Sequence, residues 1–145
     1  MNKVFLSRDV ISTVGGLLGG LIMTAFGGWS EGLTTLLILM IVDYLSGLIV
    51  AGLFKKSPKT ENGCLESRAG WKGLARKVLT LVIVMIAYRI DLIVGTTYLM
   101  NAAVIGFILN ELISITENAG LMGIPLPSAI TKAIEVLTEK EGGEE

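Results

Sequence analysis

Apolar positions cluster in four long blocks, running roughly from Val10 to Trp29, Gly32 to Phe54, Leu74 to Gly95 and Tyr98 to Glu117. Each block is close to the ~20 residues that a helix needs to cross the hydrocarbon core of a bilayer. Two very short breaks, around Gly28–Leu33 and Gly95–Thr97, and one longer polar stretch, residues 55–73, separate them. The pattern predicts an all-α integral membrane protein of about four transmembrane helices, with the short breaks folding neighbours into antiparallel hairpins. A fifth pattern occupies the tail, 118–145. Pro125 and Pro127 stop the fourth helix, and Ser128 is placed to cap a new one. Ile130, Ala133, Ile134 and Leu137 then fall at i, i+3, i+4 and i+7, the stripe of a short amphipathic helix that lies on the inner leaflet or packs on a partner. The final Glu-rich residues are expected to be disordered. No linker parts the apolar blocks, so residues 1–145 read as one membrane domain.

Composition supports this reading. Hydrophobic residues make up 52% of the chain but aromatics only 6%, and the mean hydropathy is +0.70. The apolar content is therefore aliphatic, Gly and Ala, the mixture used by lipid-facing and closely packed membrane helices. The formal net charge of −1 hides a local asymmetry. Lys55, Lys56, Lys59, Arg68, Lys72, Arg76 and Lys77 crowd between the second and third blocks against Glu61 and Glu66, and neither short break carries a basic residue. The positive-inside bias places this segment in the cytoplasm, with Lys3 and Arg8 keeping the N-terminus there too, so the expected topology in the cytoplasmic membrane is N-in and C-in. Trp29, Trp71, Tyr88 and Tyr98 fall near the expected interfaces, where amphipathic rings prefer to sit. A basic run between two spans is expected to meet anionic lipid and not nucleic acid. The first block has the charge-then-apolar order of a signal peptide. It exceeds the usual ~7–15 residues of a signal core, and no small-x-small site closes it before Trp29, so it reads as a retained span.

Ionisable groups inside spans are costly and mark pathways or polar interfaces. Here they are Asp43 in the second block, Arg89 and Asp91 in the third, and Asn110 (polar, uncharged) with Glu111 in the fourth. From their depths, Asp43 and Arg89 are the preferred ion pair, within reach of a long Arg side chain. Asp91 points away from Arg89, two residues on, and is expected to meet external water. Glu111 lies where Lys77 reaches it. Such groups either hold the bundle together or line a polar surface that becomes a lumen when subunits associate. A proton relay would call for His or a run of carboxylates along one face, and neither is visible. Gly15, Gly16, Gly19 and Gly20 form two overlapping small-xxx-small patterns, and Gly47 adds a small residue to the second block; these positions suit tight helix packing within or between chains.

Catalytic chemistry finds no footing. His is absent, Ser46 has no basic neighbour, and nucleophile–base pairs, phosphate loops, Gly-x-Ser-x-Gly and zinc spacings are missing. The chain is expected not to be an enzyme and to need no cofactor or metal. Its single cysteine, Cys64, excludes an intrachain disulfide and reads as a surface thiol.

Three stretches resemble one family, the toxin-secretion/phage-lysis holins of Gram-positive bacteria and their phages. VDYLSGLIVAGLFKK carries Asp43, Tyr44, Ser46 and Gly47. SRAGWKGLARK carries Ser67, Gly70, Trp71, Lys72 and Gly73. NELISITENAGLMGIPLP carries Asn110, Glu111, Glu117, Asn118, Ala119, Gly123, Pro125 and Pro127. The ordered motifs run from about residue 40 to residue 135. The resemblance implies a holin, a homo-oligomer that collects in the host cytoplasmic membrane and opens lesions releasing an endolysin or a toxin. The rival readings are a small homo-oligomeric channel or transporter and an accessory membrane subunit docked through its C-terminal helix.

Overall fold

The computed structural model describes residues 2–142, with side chains from 8 to 136 and that of Glu139. The side chains of Lys3 and Leu137 and residues 143–145, on which part of the orientation, tail stripe and disorder readings rested, lie outside the described residues. The described chain is all helical: α1 (Asn2–Ala25), α2 (Glu31–Ile49) continued by a π turn (Val50–Phe54), α3 (Ser67–Val94), α4 (Tyr98–Leu121) and α5 (Ser128–Gly142).

Local chemistry sets the ends of these helices. Ser30 caps α2, its Oγ accepting from the Leu33 amide at 3.1 Å, with Glu31 favourably placed in the first turn. Lys55 closes the π turn in a left-handed conformation (φ 53°), and Gly95 closes α3 likewise (φ 79°). The basic loop is shorter than expected. Residues 67–73 already belong to α3, because Ser67, Arg68, Ala69, Trp71 and Lys72 continue the helix in spite of their polarity. At α5, Ser128 is the first helical residue and the carbonyl of Pro127 accepts the first bonds, from Ile130 and Thr131, so Ser128 is not the cap.

Among the described residues two helices are able to cross a membrane by length and composition, Glu31–Phe54 and Tyr98–Leu121, not four. Lys77, Arg89 and Asp91 interrupt the apolar part of α3, and Gly and hydroxyl residues dilute α1. The hairpin expectation also needs correction. α1 packs extensively on no other helix; Phe26, just after it, reaches the core. The bundle proper is α2, α3 and α4. α4 packs most on α2, then on α3, while α2 and α3 touch little.

α3 and α4 form the expected antiparallel hairpin. α2 and α4 run parallel, since Gly32 faces Val104 and Gly47 faces Asn118. Packing follows a seven-residue rhythm. Leu36 and Asp43 are buried on α2 and Val50 on its π turn, Val84 and Asp91 on α3, and Val104, Glu111 and Asn118 on α4. Seven residues are two helical turns, so each set keeps to one face. Leu33, Leu36, Met40, Val84 and Val104 form the apolar core. It fills the end of the bundle nearest the short turns at 26–30 and 95–97. The opposite end, nearest the 55–66 loop, is polar.

Candidate functional site: a charged cluster beneath a cleft

Lys77 stands at the centre of the loop-end half. Its Nζ donates to Asp43 Oδ2 at 2.8 Å and to Glu111 Oε2 at 2.5 Å, tying α3 to both α2 and α4. Asn118 Nδ2 donates to Asp43 Oδ1 at 3.2 Å and to Ser46 Oγ at 2.9 Å. Asp43, Glu111 and Asn118 are 7%, 5% and 5% exposed, and the Lys77 side chain 14%. Among the described residues no buried side-chain nitrogen or oxygen lacks a partner. A buried charge is tolerated only when paired and hydrogen-bonded, and this cluster meets that condition. It holds two carboxylates and one ammonium.

The expected Asp43–Arg89 pair does not form. Arg89 is exposed, and Asp43 takes Lys77, which approaches from the loop end of α3. The expected reach of Lys77 to Glu111 is seen. Asp91, expected to meet water, is 2% exposed. Its carboxylate accepts from the Thr96 hydroxyl and from the amides of Leu99 (3.1 Å) and Met100 (2.8 Å). It thus caps the N-terminus of α4 from the last turn of α3, where negative charge is favoured; Thr97, the nominal cap residue, makes no side-chain bond.

Above the cluster opens a cleft of about 520 Å³, lined from α2, the 55–66 loop, α3 and α4. Tyr44, Gly47, Gly70, Lys72, Gly73, Asn110 and Glu117 line it together with Asp43, Lys77 and Glu111, so three motifs far apart in sequence meet at one place. Gly70 and Gly73 leave room for the Tyr44 ring: a Cβ at either would sit 3.5 or 3.8 Å from it. Pro125 and Pro127 stand apart, on the exposed connection to α5. Gly15, Gly16, Gly19 and Gly20 face open space, whereas Gly47 lies against Asn118. Cys64 is half-buried and its carbonyl accepts from the Thr60 hydroxyl.

Sequence reasoning placed Asn118 only in a motif and gave Lys77 to Glu111 but not to Asp43. The seven-residue lines 36–43–50, 77–84–91 and 104–111–118 were the signal that would have gathered them.

Comparison with known proteins bears on the same residues. The sequence model of the bacteriophage holin family matches residues 20–139, which covers all the cleft-lining positions. A protein of Bacillus phage phi105 named a probable holin is 36% identical over 106 residues, covering 72% of this chain and 73% of its own. Uncharacterised proteins of Listeria monocytogenes (41% identical; 90% of this chain, 89% of the relative) and Halalkalibacterium halodurans (39%; 86% and 91%) are also similar. No solved structure matches.

Proposed function

Because the chain belongs to the bacteriophage holin family, we propose that it collects in the host cytoplasmic membrane, associates with copies of itself and opens lesions that release an endolysin or a toxin. The family is non-enzymatic, and so is this chain. α2 and α4 cross the bilayer, and α3 joins them because its Lys77 is neutralised inside the bundle. The basic loop faces the cytoplasm, which puts the C-terminal end of α4 on the same side.

The observation that carries this reading is the Asp43–Lys77–Glu111 cluster, buried within a bundle whose outer surface is apolar. Val78, Leu79, Ile83 and Ile86 on α3, and Ile38, Ile41 and Leu45 on α2, are exposed and suit lipid. In the single chain the charges satisfy one another. If helices exchange partners on assembly, the same side chains face water and line a lumen. α3 is the element most able to leave α2, since the two touch little beyond the Lys77–Asp43 bond and the Tyr44 ring.

The test is expression in bacteria that hold a signal-less endolysin and a folded reporter protein in the cytoplasm. Abrupt lysis after a delay, requiring both proteins and releasing the reporter, is expected. Depolarisation without reporter escape would replace the lesion with a small channel.

A further inference from the structure

The geometry points to the cleft as a binding site for the phosphate of one anionic phospholipid, held at its rim by Lys59, Lys72 and Arg76. This deepens the membrane reading above and rests on it. Lys72 and Arg76 lie one turn apart on α3 and share a face, and Lys59 comes from the loop; all three line the cleft. Among the described residues none of the three is in an ion pair, and the two carboxylates of the floor are held by Lys77.

Lys59 is set in place by an ordered loop. The Ser57 amide donates to the Gly63 carbonyl at 3.0 Å, and the Lys59 amide to Ser57 Oγ at 3.3 Å. Gly63 holds a left-handed φ of 67° tight against the Lys55 carbonyl, so a side chain there would break the turn.

Charge sets the ligand. Glu66 and Glu117 also line the cleft, so the rim carries three positive charges against two negative ones, a surplus of one. Asp43, Glu111 and Lys77 leave one negative charge on the floor. A singly charged phosphodiester therefore rests at the rim and does not descend. Leu65 is exposed within the lining itself, an apolar contact that suits an acyl chain and favours lipid over a free phosphate ester. Basic pockets between membrane helices on the cytoplasmic side select anionic headgroups by this chemistry.

The test uses the full chain with Trp29→Phe, Trp71→Phe and Leu65→Trp, which leaves one Trp reporter in the cleft lining, in vesicles. Quenching by brominated phosphatidylcholine reports insertion, and its absence would sink the membrane reading. Stronger, saturable quenching by brominated phosphatidylglycerol at equal mole fraction reports the site. We expect that preference to fall roughly fivefold for each cation removed, as Lys72→Gln and Arg76→Gln. It should rise in Glu117→Gln and survive Lys72→Arg. Lys55→Gln with Lys56→Gln, which removes loop charge outside the cleft, should leave it unchanged. An equal loss in that pair would mean diffuse attraction and overturn the site. Abolition by free glycerophosphate at matched ionic strength would overturn the lipid as its occupant.

Discussion

One lysine carries the charge pairing of this bundle. Lys77→Met would leave Asp43 and Glu111 buried without a cation, and should cost about 3–5 kcal/mol. Unfolding in mixed micelles followed by circular dichroism measures it. The triple variant Asp43→Asn, Lys77→Met, Glu111→Gln should recover most of the loss, because no uncompensated charge remains. A Lys77→Met chain as stable as its parent would remove the cluster's structural role. Arg89→Gln, at an exposed position, should stay within about 0.5 kcal/mol. At this scale the chemistry was half legible. The sequence shows that Asp43 and Glu111 need partners, and Lys77 was expected at Glu111, but depth counted along separate segments favoured Arg89 for Asp43. Depth alone ignores which face a residue occupies, and Lys77 shares the buried face of α3 with Val84 and Asp91.

At the scale of the element, Asp91 ends one helix and starts the next. Asp91→Ala should cost about 1–2 kcal/mol and speed hydrogen exchange at the Leu99 and Met100 amides, while Thr97→Ala leaves both unchanged. Slow exchange persisting in Asp91→Ala would mean that packing alone holds the α4 terminus. The helices themselves were largely readable. The second block, expected from Gly32 to Phe54, is α2 with its π turn, and the fourth begins at Tyr98 as expected. The third was begun too late, at Leu74, because apolarity marks what suits lipid while the helix runs on through Arg68 and Lys72. The short break at 95–97 announced a hairpin, and it is one. The break at 26–30 looked similar, yet Gly27 and Gly28, both at positive φ, carry the chain away from α1 without docking that helix on α2.

At the scale of the whole molecule, α1 is almost unpartnered among the described residues. Its glycines meet nothing within the chain, so Gly19→Leu should leave the unfolding of the α2–α4 bundle unchanged. Under the proposed function it should reduce cross-linked oligomers and alter lysis timing, as bulk keeps helix backbones apart. Unchanged oligomers and timing would assign association to another surface. Sequence could mark this helix as a packing element but could not say that the described residues offer its glycines no neighbour. Nor could apolarity by itself say how many helices cross the bilayer, since a charge paired inside the bundle counts against a span as heavily as one left alone.

The division of the bundle into an apolar end and a charged end gives it a pivot. Dispersion contacts among Leu33, Leu36, Val84 and Val104 are indifferent to water and ions. The bonds of Lys77 are not, because water competes for every one of them. The three helices should therefore splay like a clothes-peg, jaws at the loop end and spring at the short turns. Spin labels on α2 and α3 should record broad separations beside Leu48 and Ala75 and narrow ones beside Leu37 and Ile86. The reverse pattern would place the spring at the other end.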